Sequence, residues 1–386
     1  MKASGKATHE GIRRHNLHLL LSAVYSGQAD NRAALAQSTG LAKPTVSELV
    51  GELMRLGLLT EDGIGQSTES GGKRPRLLRF VPEARQVVGV AVETDQISAV
   101  LANLDGEIVA WHSAALNGAQ GDEALICLQE AINGLVAQLD APLLCLGVGV
   151  PGTVDEDSGI VRESPLLGWH HLPLADQLAD HYEVPAYVAN STELTAIAQR
   201  TFSRDRDARN LVTILIDHNL EVGIAFGGPD YHQGSDIGGL RVLSPDGQPQ
   251  LLEKLLTLPA LRQRAATLAR DAGAVPALGE RWAYLELRRA LLMNHPVAEA
   301  LYDETARHIA TVCAWVIALL RPDEIALAGP IIDLGEPLLS RVEQITRTLF
   351  QSAAVERVTF ELAESGSLSA LGAVAHALRQ ELGIQA

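Results

Sequence analysis

The most constraining stretch of the chain runs from Asn16 to Phe80, where hydrophobic rhythm, punctuation and charge agree on one small arrangement. Val46, Leu49, Val50 and Leu53 recur at i, i+3, i+4 and i+7, which puts one apolar stripe on a helix and leaves Lys43, Thr45, Ser47 and Glu48 facing outward. Pro44 suits the first turn of that helix, because the N–H it lacks would have no partner there. Upstream, Gly40 suits the left-handed end of a helix expected over Asn31 to Ser38. Asn16 to Tyr25 (NLHLLLSAVY) has the dense apolar content of a short buried helix. Downstream, Gly57, Leu58 and Leu59 lead into a Gly/Ser/Thr-rich segment, Gly63 to Gly72, and then the basic run KRPRLLRF, Lys73 to Phe80. Two short strands joined by that tip make a wing. Helix, helix, tight turn, amphipathic helix and basic hairpin is the winged helix-turn-helix order, whose exposed helix face enters the major groove of DNA.

Charge agrees with this reading once it is taken region by region. The whole chain carries −16, which by itself argues against a polyanionic partner. Residues 1–80 nevertheless hold 11 Lys and Arg against 7 Asp and Glu, and the remainder 20 against 40, so a head of +4 precedes a body of −20. Such a split suits a protein that puts one end on phosphate and keeps the rest away from it. An amphipathic helix with outward Lys and Ser is common on any protein surface; it is the tight turn, the basic wing and the local positive charge together that make double-stranded DNA the expected partner. Lys73, Arg74 and Arg76 are expected to position the head on phosphates, and Lys43, Thr45, Ser47 and Glu48 to read base edges.

From Gln86 the rhythm changes to strands. VVGVAVE and ISAVLANLDGEIVAWHS follow one another, with Asp105-Gly106 as a hairpin turn. A helix over Glu123 to Leu139 and a buried strand over Leu143 to Val150 come next. Further strands are expected at Ala186 to Ala189, Leu211 to Ile216 and Val222 to Phe226. Helices are expected at Leu174 to His181, Thr192 to Phe202, Leu251 to Arg270 with a break at Pro259, and Val297 to Leu320. This alternation indicates an α/β body.

At 386 residues the chain exceeds the ~250–300 at which one core stops growing. A DNA-binding domain over residues 1–82 and an effector-binding, oligomerising domain over 83–386 are expected. No apolar run reaches the ~18 residues that span a bilayer, and the first residues lack a signal-peptide core, so a cytoplasmic protein with no membrane partner is expected. Cys127, Cys145 and Cys313 stand far apart in apolar runs and read as buried small hydrophobes.

Longer patterns resemble a known family. LAKPTVSELVGELMRLGLL followed by GGKRPRLLRF, then GVGVPGTVDEDSGIV, SPLLGWHHLPLADQL, a strand ending in Asn190, and GSDIGGLRV, is similar to the ROK family of repressors and sugar kinases. The resemblance implies a two-lobed actin-like, ribonuclease H-like domain behind the head, and heads paired in a homodimer or homotetramer.

Departures from the family pattern are as informative as the matches. Where the family's kinases carry a D-x-G-x-T-like loop for ATP phosphates, this chain reads Val90 to Asp95 (VAVETD), with Ala91 in the aspartate's place. The family's second Gly-rich turn falls on Asn219 to Gly223 (NLEVG), so two glycines that let backbone N–H groups approach phosphate are gone. Glu93, Asp95 and Glu221 would repel a polyphosphate. The family's catalytic base is the aspartate of an Asn-Asp pair; here the pair is Asn190-Ser191, and serine at its ordinary pKa cannot take the sugar's proton. The places of the family's zinc ligands hold Asp236 to Gly239 and Ser244 to Leu252, without Cys or His. No catalytic residue, metal site or cofactor is therefore expected.

Gly152 at a tight turn, Asn190, Asp236 in place of the family's glutamate, and Glu253 still suit the hydroxyl groups of an effector. They also suit plainer roles: Asn190 as the cap of a helix beginning near Thr192, Asp236 as a turn former. His170, His171 and His232 read as surface or packing residues. Taken together, these features imply a repressor of carbohydrate-related genes, controlled by a small sugar or sugar derivative bound without phosphorylation in the interlobe cleft. Two other classes stand beside it: an active ROK sugar kinase with an extra head, and a scaffold whose basic head is idle.

Overall fold

Each helix of the head ends where its boundary residue requires. α1 (His9–Tyr25), α2 (Arg32–Thr39) and α3 (Lys43–Arg55) precede the antiparallel strands β1 (Leu59–Ile64) and β2 (Arg76–Phe80). Asn31 caps α2, its Oδ1 accepting from the N–H groups of Ala33 and Ala34, both at 3.0 Å. Gly40 closes the helix with φ 71°, a conformation that carries a steric cost for residues with a Cβ. Leu20, Leu21, Val24, Leu35, Val46, Leu49, Val50 and Leu53 are buried together with Leu59, Leu78 and Phe80 of the wing. α1 begins one to two turns earlier than the apolar run suggested, because polar residues extend its exposed side. The computed structural model describes residues 9–64, 74–93, 96–202, 210–216, 220–226, 232–235, 237–243, 248–273, 278–279, 282–363 and 368–384.

The described chain divides into two compact units, 1–189 with 373–386, and 190–372. In the first, the head is followed by β3 (Gln86–Val92), β4 (Gln96–Asn103), β5 (Ile108–Ala115), α4 (Asp122–Val136) and β6 (Leu143–Val150). Then come the small antiparallel sheet of β7 (Thr153–Asp155), β8 (Ile160–Ser164) and β9 (Trp169–Leu172), α5 (Leu174–Tyr182), and β10 (Ala186–Asn190). The main sheet has the order β10-β6-β3-β4-β5, with β3 antiparallel to β4 and parallel to β6. All of β3 is buried, so its near-continuous apolar sequence reflects a strand covered on both faces. One cover is α4, through Leu128, Ala131, Ile132 and Leu135.

The second unit opens with α6 (Ser191–Phe202), β11 (Leu211–Ile216), β12 (Leu220–Ala225) and β13 (His232–Ser235). β14 (Arg241–Leu243), β15 (Pro249–Leu251), α7 (Glu253–Leu256), α8 (Leu258–Asp271), α9 (Tyr284–Leu292) and α10 (Pro296–Leu320) follow. β16 (Glu324–Ala328), α11 (Glu336–Leu349), β17 (Thr359–Leu362) and α12 (Leu368–Leu382) complete the described chain. Its sheet has the order β13-β12-β11-β16-β17. The expected break near Pro259 falls at Thr257, and the proline occupies the first turn of α8, where its missing N–H costs nothing.

α12 starts in the second unit and ends in the first, where it serves two purposes. A Cβ placed on Gly147 of β6 would lie 2.0 Å from the Ala373 carbonyl oxygen, so glycine is what lets this helix pack so closely on the sheet. The far end of α12 seats the head. Arg14 donates to the Gln380 carbonyl at 3.0 Å, to the Glu381 carboxylate at 3.4 Å and to the Tyr187 hydroxyl at 3.2 Å, and Tyr187 donates to Glu381. His18 Nε2 lies 2.9 Å from the Glu381 carbonyl. Cys145 and Cys313 are buried as expected, and burial pushes both thiols up, that of Cys313 to about 12. Cys127 is only half-buried, because it lies at the rim of α4.

Candidate functional site

The turn between α2 and α3 sets what the head can present. Ala42 precedes α3 without a side-chain cap, so the first N–H groups of this helix are left without a capping side chain. Lys43 and Ser47 are exposed, Thr45 is half-buried, and Glu48 is exposed but engaged: Arg13 of α1 donates to Glu48 at 3.2 Å and to Glu52 at 2.5 Å. On the wing, Arg76 pairs with Glu61 at 2.5 Å across the ribbon, and Arg32 reaches the same carboxylate at 2.7 Å. These two guanidinium groups, Arg76 first, hold the Glu61 carboxyl below the usual carboxylate range. Arg74 is exposed at the base of the wing tip, and Lys73 lies outside the described residues.

Five of the seven expected head residues thus fall into two kinds, with Thr45 half-buried between them and Lys73 outside the described residues. Lys43, Ser47 and Arg74 face solvent, whereas Glu48 and Arg76 are tied to neighbours by ion pairs that also brace the head. Arg13 and Arg32 carry no local signal of these roles, because each pairs with a carboxylate about thirty to forty positions away along the chain.

In the first lobe, Gly152 follows β6 with φ 121°, and an added Cβ would lie 2.2 Å from the Glu163 carbonyl oxygen. Glycine is required there by the backbone alone. The turn after β3 closes on itself: the Glu93 N–H donates to the Gln96 carbonyl at 2.9 Å, and the Gln96 amide donates to the Glu93 carboxylate at 2.7 Å. Asp95 lies outside the described residues. Ala91 is fully buried between Ser98 and Gly149.

In the second unit, Asn190 caps α6, its Oδ1 accepting from the N–H groups of Thr192 at 2.8 Å and Glu193 at 3.2 Å. The Glu253 N–H donates to the Gly238 carbonyl at 3.2 Å, so the turn after Asp236 lies against the start of α7. Asp236 itself lies outside the described residues, as does Asn219. Gly223 pairs with Thr213, and an added Cβ would meet Ala196 at 2.8 Å and the Thr192 carbonyl at 2.9 Å. This glycine therefore serves close packing of α6 on β12. Among the described residues no group of three or more His, Cys, Asp or Glu is placed to hold a metal, and no helix is long and apolar enough to cross a membrane. His170 and His171 are exposed.

Comparison with known proteins decides the family. The ROK family model matches residues 87–380, and that of the IclR helix-turn-helix domain matches 21–63. The chain belongs to the ROK family. It is 30% identical over 231 residues to the xylose repressor of Bacillus subtilis (strain 168), covering 59% of this chain and 59% of that protein. It is 23% identical over 364 residues to the DNA-binding transcriptional dual regulator NagC of Escherichia coli (strain K12), covering 89% and 87%. The alignments to the Bacillus subtilis xylose repressor and to a putative xylose repressor of Caldicellulosiruptor span 59% and 58% of those proteins' lengths.

Among solved structures, a ROK family transcriptional regulator described as a homolog of the E. coli MLC protein superposes with TM-score 0.79 at 21% identity, over 96% of this chain and 98% of that one. A ROK family glucokinase from Streptomyces griseus superposes with TM-score 0.64 at 21% identity, over 76% and 99%. The fold is accordingly a helix-turn-helix head followed by a ROK actin-like, sugar-kinase-like domain.

Proposed function

We propose that this ROK protein is a sequence-specific DNA-binding transcriptional regulator, a repressor of carbohydrate-related genes, whose sensor domain binds a small sugar or sugar derivative without phosphorylating it. Work is divided between residues 1–82, which hold the operator, and 83–386, which bind the effector and oligomerise. The observation that carries this reading is the head's outward face: Lys43 and Ser47 on α3 and Arg74 on the wing are exposed, while Glu48 and Arg76 are paired within the head with Arg13 and Glu61. A basic recognition helix beside a basic wing suits phosphate positioning and base readout. The repressor names of the relatives fit the same role.

Departures from the family's kinase pattern support a sensing role for the sensor domain. Ser191 stands where a base is needed, Ala91 is sealed in the sheet, and the Glu93–Gln96 turn is closed by its own hydrogen bonds. Gly152, Asn190, Asp236 and Glu253 remain as the polar set for hydroxyl groups. One lobe arrangement must be preferred by the ligand for it to act on DNA affinity, and a coupling of ~1–3 kcal/mol gives a roughly 5–150-fold change.

The test is operator selection from a random DNA pool followed by binding at several salt concentrations. Arg74→Ala is expected to weaken binding on all sequences and to reduce the salt slope by about one. Ser47→Ala is expected to change base preference instead. Unchanged affinity in both variants would place recognition elsewhere, and ATP turnover with any sugar of a broad panel would favour the kinase reading.

A further inference from the structure

α3 carries a glycine that nothing in the described chain requires. Gly51 is the ninth of the thirteen residues of this helix, well inside both ends, and its φ is not positive. Beyond its own stretch of helix, an added Cβ would meet no described atom within 4 Å. Gly372, inside α12, differs: it sits against the Leu194 carbonyl and leaves no room for a Cβ. In a helix interior, glycine is the least favourable residue after proline. No packing, turn or close approach within the described residues offsets that cost at Gly51.

Its place on the helix shows what the space faces. Ser47 stands one turn before Gly51 and Arg55 one turn after, and both are exposed. The buried stripe of Val46, Leu49, Val50 and Leu53 takes up the other side. Gly51 therefore lies on the outward face of α3, between two side chains suited to DNA. A side chain at this position would read a base edge by donating or accepting a hydrogen bond. Glycine has none to offer, and inside a helix its N–H and carbonyl are committed to the backbone ladder. What remains is an apolar Cα with room above it. Of the groups that base pairs present in the major groove, the one that matches is the C5-methyl of thymine, which is apolar and needs no partner.

We propose that Gly51 receives the C5-methyl of a thymine, so that α3 seats against an A·T pair at a depth that a Cβ would prevent. This rests on the reading of the head as a DNA-binding module, and it adds to the outward face a residue that selects by space rather than by hydrogen bonding. A cytosine at the same place would present an amino donor that Gly51 cannot accept, so the position discriminates between the two pyrimidines.

The test uses the full chain and an operator selected from a random DNA pool, with each thymine replaced in turn by deoxyuridine, which lacks only the methyl. Gly51→Ala is expected to melt no lower than wild type, since alanine favours an exposed helix interior. It is nevertheless expected to bind the operator about tenfold more weakly, the scale of one mismatched base pair. Deoxyuridine at one thymine per bound head is expected to bring the variant to within about twofold of wild type on the same DNA, because the methyl lost from the base makes room for the one gained by the protein. A stiffer helix alone would weaken binding on all these DNAs alike. Equal or tighter operator binding by Gly51→Ala, or a loss that deoxyuridine relieves at no position, would overturn the proposal while leaving the DNA reading in place. If wild type selects no operator, both fall.

Discussion

The two lobes carry the same sheet and spend the chain between strands differently. In each, the strand that opens the lobe lies at the centre, antiparallel to the second strand and parallel to the fourth: β3 with β4 and β6, β11 with β12 and β16. After its third strand the first lobe continues through α4 to β6. The second lobe inserts β14, β15 and α7 to α10 before β16. Backbone pairing and apolar registers preserve the sheets, and neither needs chemistry. Of the candidate effector residues, Gly152 lies just after β6, Asn190 at the end of β10 where it caps α6, and Glu253 at the start of α7, where a change of side chain leaves the strand register intact.

Both lobes pack glycines against backbone, an added Cβ lying 2.0 Å from the Ala373 carbonyl oxygen at Gly147 and 1.8 Å from the Leu194 carbonyl oxygen at Gly372, so substituting glycines tests the comparison most severely. Gly147→Ala in the first lobe drives a Cβ into the Ala373 carbonyl, and should lower unfolding stability by about 3 kcal/mol, the upper end of ordinary overpacking. Gly223→Ala in the second lobe meets the Ala196 methyl at 2.8 Å and the Thr192 carbonyl at 2.9 Å, a looser fit than at Gly147, and should lower it by about 2 kcal/mol. Urea titration of both variants checks the order. A larger loss for Gly223→Ala would reverse it and make the contact of α6 on β12 the tighter of the two.

Asn190 offers a finer test, since it opens the second unit as a helix cap. Asn190→Ala should lower stability by about 1 kcal/mol through loss of the cap. Asn190→Asp keeps the accepting oxygen and should leave stability nearly unchanged while removing the amide donors. If sugar-induced thermal shifts vanish in both variants, the side chain contacts ligand; if Asn190→Asp responds like wild type, its role ends at the cap.

The smallest effect belongs to the head, which is part of neither sheet. Glu61 is held ionised by Arg76 and Arg32, so its folded pKa lies below the ordinary 4.5. The stability it lends is present above that value and is lost as pH falls through the folded pKa. Thermal melts of the protein and of Glu61→Gln should converge on acidification below 4.5 and separate above it. Parallel curves would assign the Arg–Glu cluster no role in bracing the wing.

Local signals made part of this legible in the sequence. The stripe on α3, the helix end at Gly40, and the strands Leu143–Val150 and Leu211–Ile216 depend on nearest neighbours, and they fall where the residues predict, while Asn31, expected as the first residue of α2, caps it instead. β16 was not expected: Glu324-Ile-Ala-Leu-Ala is short, and its charged first residue is buried because its backbone joins Asn210. α12 was not expected either, and neither its packing on Gly147 nor its seat for Arg14 has a sequence signature, since both depend on pairings across most of the chain. At the candidate site, residue types were readable and their partners were not. The ion pairs of Glu48 with Arg13 and of Arg76 with Glu61 arise only when separate elements meet, whereas closure of the Glu93–Gln96 turn is local and turns on side-chain geometry that residue type alone does not give.

The seat of the head has a consequence in time. Arg14 emerges from the ribosome 366 residues before Gln380, the carbonyl that holds it. At 5–20 residues per second, synthesis alone separates them by about 20–70 seconds. The head's three helices and wing have their own buried core and can form during that interval, and the turn between β4 and β5 meets them early, through the Leu104 N–H on the Pro82 carbonyl and through Tyr25 and Asp105. The contacts of Arg14 and His18 with α12 come last, so the head of a nascent chain has one anchor for most of its synthesis and gains its second at the end.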